Sequence, residues 1–345
     1  MSNFFERSTK YGQWWFLGIF ILIIVIFIIV FISGIKKNKK DAVSRKKLVD
    51  NNKFVLQNRK KIEDELNSNS DELEKARTKS LIALVIVILC VVLSIIFIKN
   101  IFVTVVIGVI GMVVISLILA KYQRENSNKY NEVVKKILHE YDNNLEYNPN
   151  GGFSIDEYYS CYFPEQCDRF GSEDLIINRK NGFCYSDIIV ESEHEDDEGN
   201  TSYYVEYCGS LARMNIKNMN CRIFLGSTRG TLVYKRDNLK TIKFENDEFN
   251  KLLRACTDNE LMAYKLLTPD VMEEFVNIKN NTYGDIDIRI ISGYLYIRFQ
   301  SGGTFDSTLF NKEKEKENLC QSIAVLEEVM HTMEKVKKII DDKDF

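Results

Sequence analysis

The chain has 345 residues, 45% of them hydrophobic, and a net charge of −3. That charge is divided, with 17 Lys and Arg against 9 Asp and Glu in residues 1–120, and 29 against 40 in residues 121–345. The acidic second part excludes a nucleic-acid partner, because phosphate binding needs a basic face, and eight cysteines without a C-x-x-C pair fit reduced thiols better than a disulfide framework.

Three apolar runs dominate the first third of the chain. Trp14–Ile35 contains no charged residue and no small-residue cleavage site, so it is expected to be a retained span and not a signal peptide. Leu81–Ala120 is too long for one span, so two helices, 81–98 and 101–120, are expected to form a membrane hairpin turning at Lys99 and Asn100. The basic cluster Lys36 to Lys47 places the intervening loop in the cytoplasm, which puts the N-terminus outside. That loop, residues 36–80, lacks Gly and Pro and repeats Leu48, Val55 and Ile62 every seven residues, the pattern of a helical stalk or a partner coiled coil, with a break near Asn67–Ser70.

Residues 121–147 carry the stripe Val133, Val134, Ile137, Leu138, Tyr141 and Leu145, which predicts a connecting amphipathic helix. Asn148–Gly152 (NPNGG) should end it and open a soluble domain over 153–340. There the pattern predicts a short helix Ile155–Phe163 capped by Ser154, a charged turn at Asp168–Leu175 (DRFGSEDL), and strands Phe183–Val190 and Ser202–Ala212 around an acidic loop. Strands Cys221–Leu225 and Thr231–Lys235 should flank the turn GSTRG. Helices are expected over Asp247–Cys256, Leu261–Leu267 and from Thr268-Pro269, then a hairpin Ile286–Ile291/Tyr294–Phe299 and a final helix Glu313–Ile340. Strands that cluster apart from helices define an α+β class.

Chemistry-bearing motifs are sparse. No nucleotide-binding or hydrolase signature occurs, and His139, His194 and His331 share no metal-ligand spacing, so neither a cofactor nor a metal is expected. The acidic loop ESEHEDDE lacks the ligand alternation of a calcium loop. DRFGSEDL is the most concentrated constellation. Asp168, Arg169, Glu173 and Asp174, with Tyr264 and Glu273 nearby, are the candidate binding residues; a carboxylate pair does acid–base work only where burial separates the two pKa values.

Several motifs resemble a bacterial membrane-associated family, the domain-of-unknown-function family 3137. They are Tyr162-Phe163 followed by DRFGSEDL, Ser186-Asp187 within a strand, residues 244–275 (FENDEFNKLLRACTDNELMAYKLLTPDVMEEF), and Phe305 with Leu309-Phe310. The resemblance spans about residues 125–340. It implies a multi-pass inner-membrane protein with a cytoplasmic α+β domain, no assigned activity and, less directly, a LemA-like membrane protein as partner.

The expectation is therefore three transmembrane helices, a helical stalk and a cytoplasmic α+β domain with antiparallel strands and a long C-terminal helix. Its partners would be the phospholipid bilayer, a membrane or cytoplasmic protein, and further copies of the chain. The expected function is a membrane-anchored binding or scaffold domain, not an enzyme; the alternative is a small-ligand sensor or enzyme with its site near Asp168–Asp174.

Overall fold

The computed structural model describes residues 49–68, 78, 79, 82, 86, 101–196, 199–227, 239–282, 284–300, 305 and 312–342. Two compact units divide the chain, one of residues 1–43 and 70–125, the other of residues 44–69 and 126–345. Among the described residues of the first unit, the continuous structure is the N-terminal part of a 41-residue helix, α2 (Ile101–Tyr141).

The expectation of three transmembrane helices is corrected. Among the described residues no helix is long and apolar enough to cross a membrane. Residues 14–35 and almost all of 81–98 lie outside the described residues. The run 101–120 is no separate element. It continues without a break through the charged residues Lys121, Arg124 and Glu125 to Tyr141. The helix also stops short of Leu145, which opens a strand instead.

The second unit is built on a nine-stranded sheet in which every pair is antiparallel. Its strands are β1 (Leu145–Asn148), β2 (Arg169–Asn178), β3 (Phe183–Glu195), β4 (Thr201–Asn215), β5 (Ile223–Ser227), β6 (Lys240–Ile242), β7 (Leu253–Thr257), β8 (Ile286–Ile291) and β9 (Tyr294–Phe299). Their order across the sheet is β1-β2-β3-β4-β9-β8-β5-β7-β6. The helices are α1 (Lys53–Ser68), the second half of α2, α3 (Ile155–Ser160), α4 (Asp247–Leu252), α5 (Glu260–Leu266), α6 (Pro269–Asn281) and α7 (Lys312–Asp341).

Period-2 alternation assigns each strand residue to a face. Phe183, Tyr185, Ala212, Met214, Leu295, Ile297, Phe299, Ile286, Ile288 and Ile290 point to one side and join the main core. The helices cover that side. Leu319, Ile323, Leu326, Val329, Met330, Met333 and Val336 repeat at helical spacing and give α7 a buried face over the sheet. Burying one such side chain contributes about 1.5–3 kcal/mol relative to leaving it in water. Residues 53–68 form no free-standing stalk. Val55 and Ile62 are fully buried in this core, Phe54 meets Tyr141 edge to face at 5.0 Å, and Glu63 pairs with Lys316 of α7. The seven-residue repeat thus marks a helix docked within its own domain.

Local chemistry fixes the starts of three short helices, α3, α4 and α5. Ser154 accepts from Glu157 N at 3.2 Å, Asn246 from Phe249 N at 2.9 Å and Asn259 from Met262 N at 3.1 Å, each a side-chain cap on an orphan N–H. Ser292 and Gly293 have φ of 52° and 83°, the left-handed pair that a two-residue turn between β8 and β9 requires. Residues 253–256 were expected in a helix; they are strand β7, pairing with both β5 and β6. The expected partner strand at 231–235 and part of GSTRG lie outside the described residues.

Candidate functional site

DRFGSEDL is not a turn but most of β2, and it places its charged residues in two distinct settings. Asp168, just before the strand, donates its N–H to Glu191 O at 2.9 Å, while its Oδ2 accepts from Glu193 N at 2.7 Å and from Gln166 Nε2 at 2.8 Å. The Arg169 guanidinium lies 3.4 Å from the ring centroid of Tyr203. Further along, β2 bulges between Glu173 and Ile176, and Asp174 adopts φ 60°. Asp174 is buried and its Oδ1 accepts from Tyr147 OH at 2.5 Å; the Glu173 carbonyl accepts from Ser186 Oγ at 2.5 Å. Burial, then the Asp174 charge, pushes the Tyr147 phenol up, so it stays a donor. The NPNGG turn wraps this bulge. Gly152 approaches Ser172 so closely that a Cβ there would sit 2.5 Å from the Ser172 Cβ.

The six candidate residues do not converge. Five strand steps separate Arg169 from Asp174, roughly 17 Å. Tyr264 is half exposed on α5, edge-on to Phe244 at 5.2 Å, and its OH donates to Lys243 O at 3.3 Å. Glu273 lies exposed on α6. What the structure does bring together is Asp168, Arg169, Glu193 and Tyr203, at the base of a projecting hairpin.

A charged cluster that sequence reading missed lies on the sheet face away from α7. Arg298 donates to both oxygens of Glu165 at 2.7 and 2.9 Å, to Asp287 Oδ2 at 2.6 Å and to Tyr158 OH at 2.9 Å. Its guanidinium is sandwiched between Phe163 at 3.9 Å and Tyr207 at 4.1 Å. Arg289 donates to Leu225 O at 3.1 Å and reaches Asp287 Oδ1 at 3.4 Å. Burial drives the Asp287 carboxyl up, but the charges of Arg298 and Arg289 outweigh it and hold the group below its ordinary value. A carboxylate so held is no proton donor at neutral pH. The cluster is a bracket that ties α3 and the following loop onto the sheet. Its signal was legible, since Asp287, Arg289 and Arg298 fall on one face of two otherwise apolar strands; Glu165 carried none. Nearby, burial pushes the Cys161 thiol up to about 12, too high for a thiolate nucleophile.

The hairpin itself is the most exposed construction of the sheet. Strands β3 and β4 continue to pair from Glu191↔Val205 out to Glu195↔Thr201, beyond the last β2 pair, Arg169↔Glu191. On the other side β4 pairs with β9 only from Ser210 onward. Much of the expected acidic loop is thus strand, and beyond the last pair Asp196 N donates to Asn200 O at 3.0 Å. The arm's two edges differ. Asp168 occupies the Glu193 N–H on the β3 edge. On the β4 edge, Thr201–Val205 (TSYYV) carries no charge and no proline, and among the described residues no strand pairs with it outside β3. Tyr204 is 57% and Val205 55% exposed. His194 stands edge-on to Tyr204 at 5.0 Å and shares a 3.0 Å hydrogen bond with Ser192 Oγ.

On the helix side, a cleft of about 470 Å³ opens between the start of α1, the C-terminal ends of α2 and α6, and the body of α7. Glu327, Glu328, Glu334 and His331 line it from α7. Amides occupy the carboxylates: Asn52 donates to Glu327, and Asn281 to Glu328 at 2.8 Å. Burial, with Glu327 and Glu334 nearby, pushes the Tyr141 phenol up.

Taken together, these features define a mixed helix and antiparallel-sheet domain whose buried charges are structural and whose accessible features are an arm and a cleft. Residues 214–342 match the family described as "Protein of unknown function (DUF3137)". The match includes residues 244–275; the motifs at 162–190 precede it. No curated protein matches the chain. Among solved structures, the crystal structure of the mycobacterial trehalose monomycolate transport factor A, TtfA, aligns with 61% of this chain and 97% of that chain, at 7% identity and a TM-score of 0.31.

Proposed function

We propose that this protein is an adapter or scaffold that engages a protein partner and performs no catalysis itself. The observation that carries this reading is the β3–β4 arm, with Tyr203, Tyr204 and Val205 exposed along an edge that bears no charge. Exposed aromatic residues grouped on one element are what protein interfaces are enriched in. The buried charges Arg298, Asp287 and Asp174 are hydrogen-bonded within the fold.

The test is affinity co-purification of the full chain with and without the paired changes Tyr204→Ser and Val205→Ser, followed by reconstitution of any captured protein as a purified component. Loss of two anchor side chains should weaken the reconstituted complex at least about ten-fold, as hot-spot truncations do. An unchanged affinity would assign the interface elsewhere.

A second reading, a small-ligand sensor, draws on the 470 Å³ cleft, which is large enough for a metabolite. A His331→Trp change, made at an exposed cleft-lining position of α7, would abolish a ligand's thermal stabilisation and leave the arm untouched.

A further inference from the structure

We propose that the arm takes its partner as an added β-strand, and that the strand it takes is a basic, extended peptide segment. This rests on the reading that the arm is the partner-binding surface, and it specifies the chemistry of what binds there. The first ground is the β4 edge over Thr201–Val205, with which no strand outside β3 pairs among the described residues. A strand edge presents a row of backbone N–H and C=O groups, and proteins ordinarily block it with charge, proline or a bulge. Here the block is one-sided. The β3 edge is closed by Asp168, whose carboxylate accepts from Glu193 N at 2.7 Å. The β4 edge from Thr201 to Val205 presents Thr, Ser, Tyr, Tyr and Val, all exposed. An extended peptide laid about 4.8 Å from β4 satisfies those groups in register, whereas a helix cannot.

The second ground is charge. Residues 191–206 contain seven carboxylates and neither lysine nor arginine. Glu191, Glu193 and Glu195 stand opposite Val205, Tyr203 and Thr201, so their carboxylates lie on the same face as those β4 side chains, one strand away from the incoming peptide. Long lysine or arginine side chains of the added strand reach across β4 to them. The arm already shows that its tyrosines accept cations, because Arg169 sits 3.4 Å from the Tyr203 ring centroid. Tyr204, on the other face and 57% exposed, offers the same surface to a residue of the partner. The same charge argues against a second copy of this chain as the occupant, since two arms paired edge to edge would bring two sets of seven carboxylates together.

The test uses the full chain and two fluorescent nine-residue peptides, one of alternating lysine and valine, the other of alternating glutamate and valine, followed by anisotropy. The lysine peptide should bind at least about ten-fold more tightly than the glutamate peptide, with affinity falling as salt rises. The charge-swapped variant with Glu193→Lys and Glu195→Lys, both at exposed positions, should cut that preference several-fold. Equal binding of the two peptides by the native chain, or a preference undiminished by the swap, overturns the proposal. If the lysine peptide fails to bind while the Tyr204→Ser and Val205→Ser changes still abolish the natural complex, the arm remains the interface and only the partner chemistry is wrong. If those changes also leave the natural complex intact, the adapter reading itself fails. Sedimentation showing a dimer that the same two changes dissolve would replace the basic strand with a second copy and overturn the inference.

Discussion

Arg298 shows how a single residue holds a layer in place. It is fully buried, yet every strong contact it makes is to an oxygen or an aromatic face of the α3 segment or of β4 and β8. Removing one member of a buried ion cluster leaves its partners desolvated and unpaired, which costs about 3–5 kcal/mol. Arg298→Met should therefore lower stability by that amount in a urea titration. Acid should act through the same site. Asp287 has its carboxyl below the ordinary value in the folded chain, so the stability it supplies is fully present above the unfolded value, about 4, and is lost as pH falls through the folded one. The urea midpoint should drop as pH falls below about 4 in the native chain, and drop less steeply in Asp287→Asn. At this scale the sequence was informative wherever one residue acts on its immediate neighbours. Ser154 was legible as a cap, and Ser292-Gly293 as a turn. Glu165 was not, because its role depends on a strand more than a hundred positions away.

Elements were legible where one period dominated. The β8–β9 hairpin and α7 fall within a residue or so of their expected bounds, because alternation and helical spacing there are uninterrupted. Two failures have specific causes. In β2 Arg169 and Glu173 are exposed, and buried alternation begins only at Asp174, itself charged, so the strand read as a turn. In β7, five residues buried almost throughout carry no period at all, and the preceding helix absorbed them. The apolar repeat of α1 was seen, but its partner was not: a seven-residue pattern does not say whether the facing surface is another chain or the same one. Ile62→Ala decides between a docked helix and a solvated stalk. Burial in the core predicts a loss of about 2–5 kcal/mol, measured by chemical denaturation; a solvent-facing position would change stability by less than about 0.5 kcal/mol.

At the scale of the molecule, one sheet has been given two different faces and one projecting arm. The helix layer supplies the apolar core. The opposite face is closed by an ion bracket and the short α3 segment, where a helix layer of its own is missing among the described residues. Segregation of strands from helices was readable from the order of patterns along the chain; the arm was not, because the acidic residues Glu191–Glu195 hid a strand inside what looked like a loop. The three membrane spans were expected from apolar runs of spanning length; residues 14–35 and almost all of 81–98 lie outside the described residues, while residues 101–120 form the first part of a 41-residue helix whose later part the apolar stripe of 121–147 had indicated. Amide hydrogen exchange on the full chain, alone and with a captured partner, tests the central claim most directly. If the arm is the interface, the partner should slow exchange at amides of Thr201–Tyr207 while those of α7 stay unchanged. Slowing confined to α7 and the cleft beside it, with Thr201–Tyr207 unaltered, would contradict it.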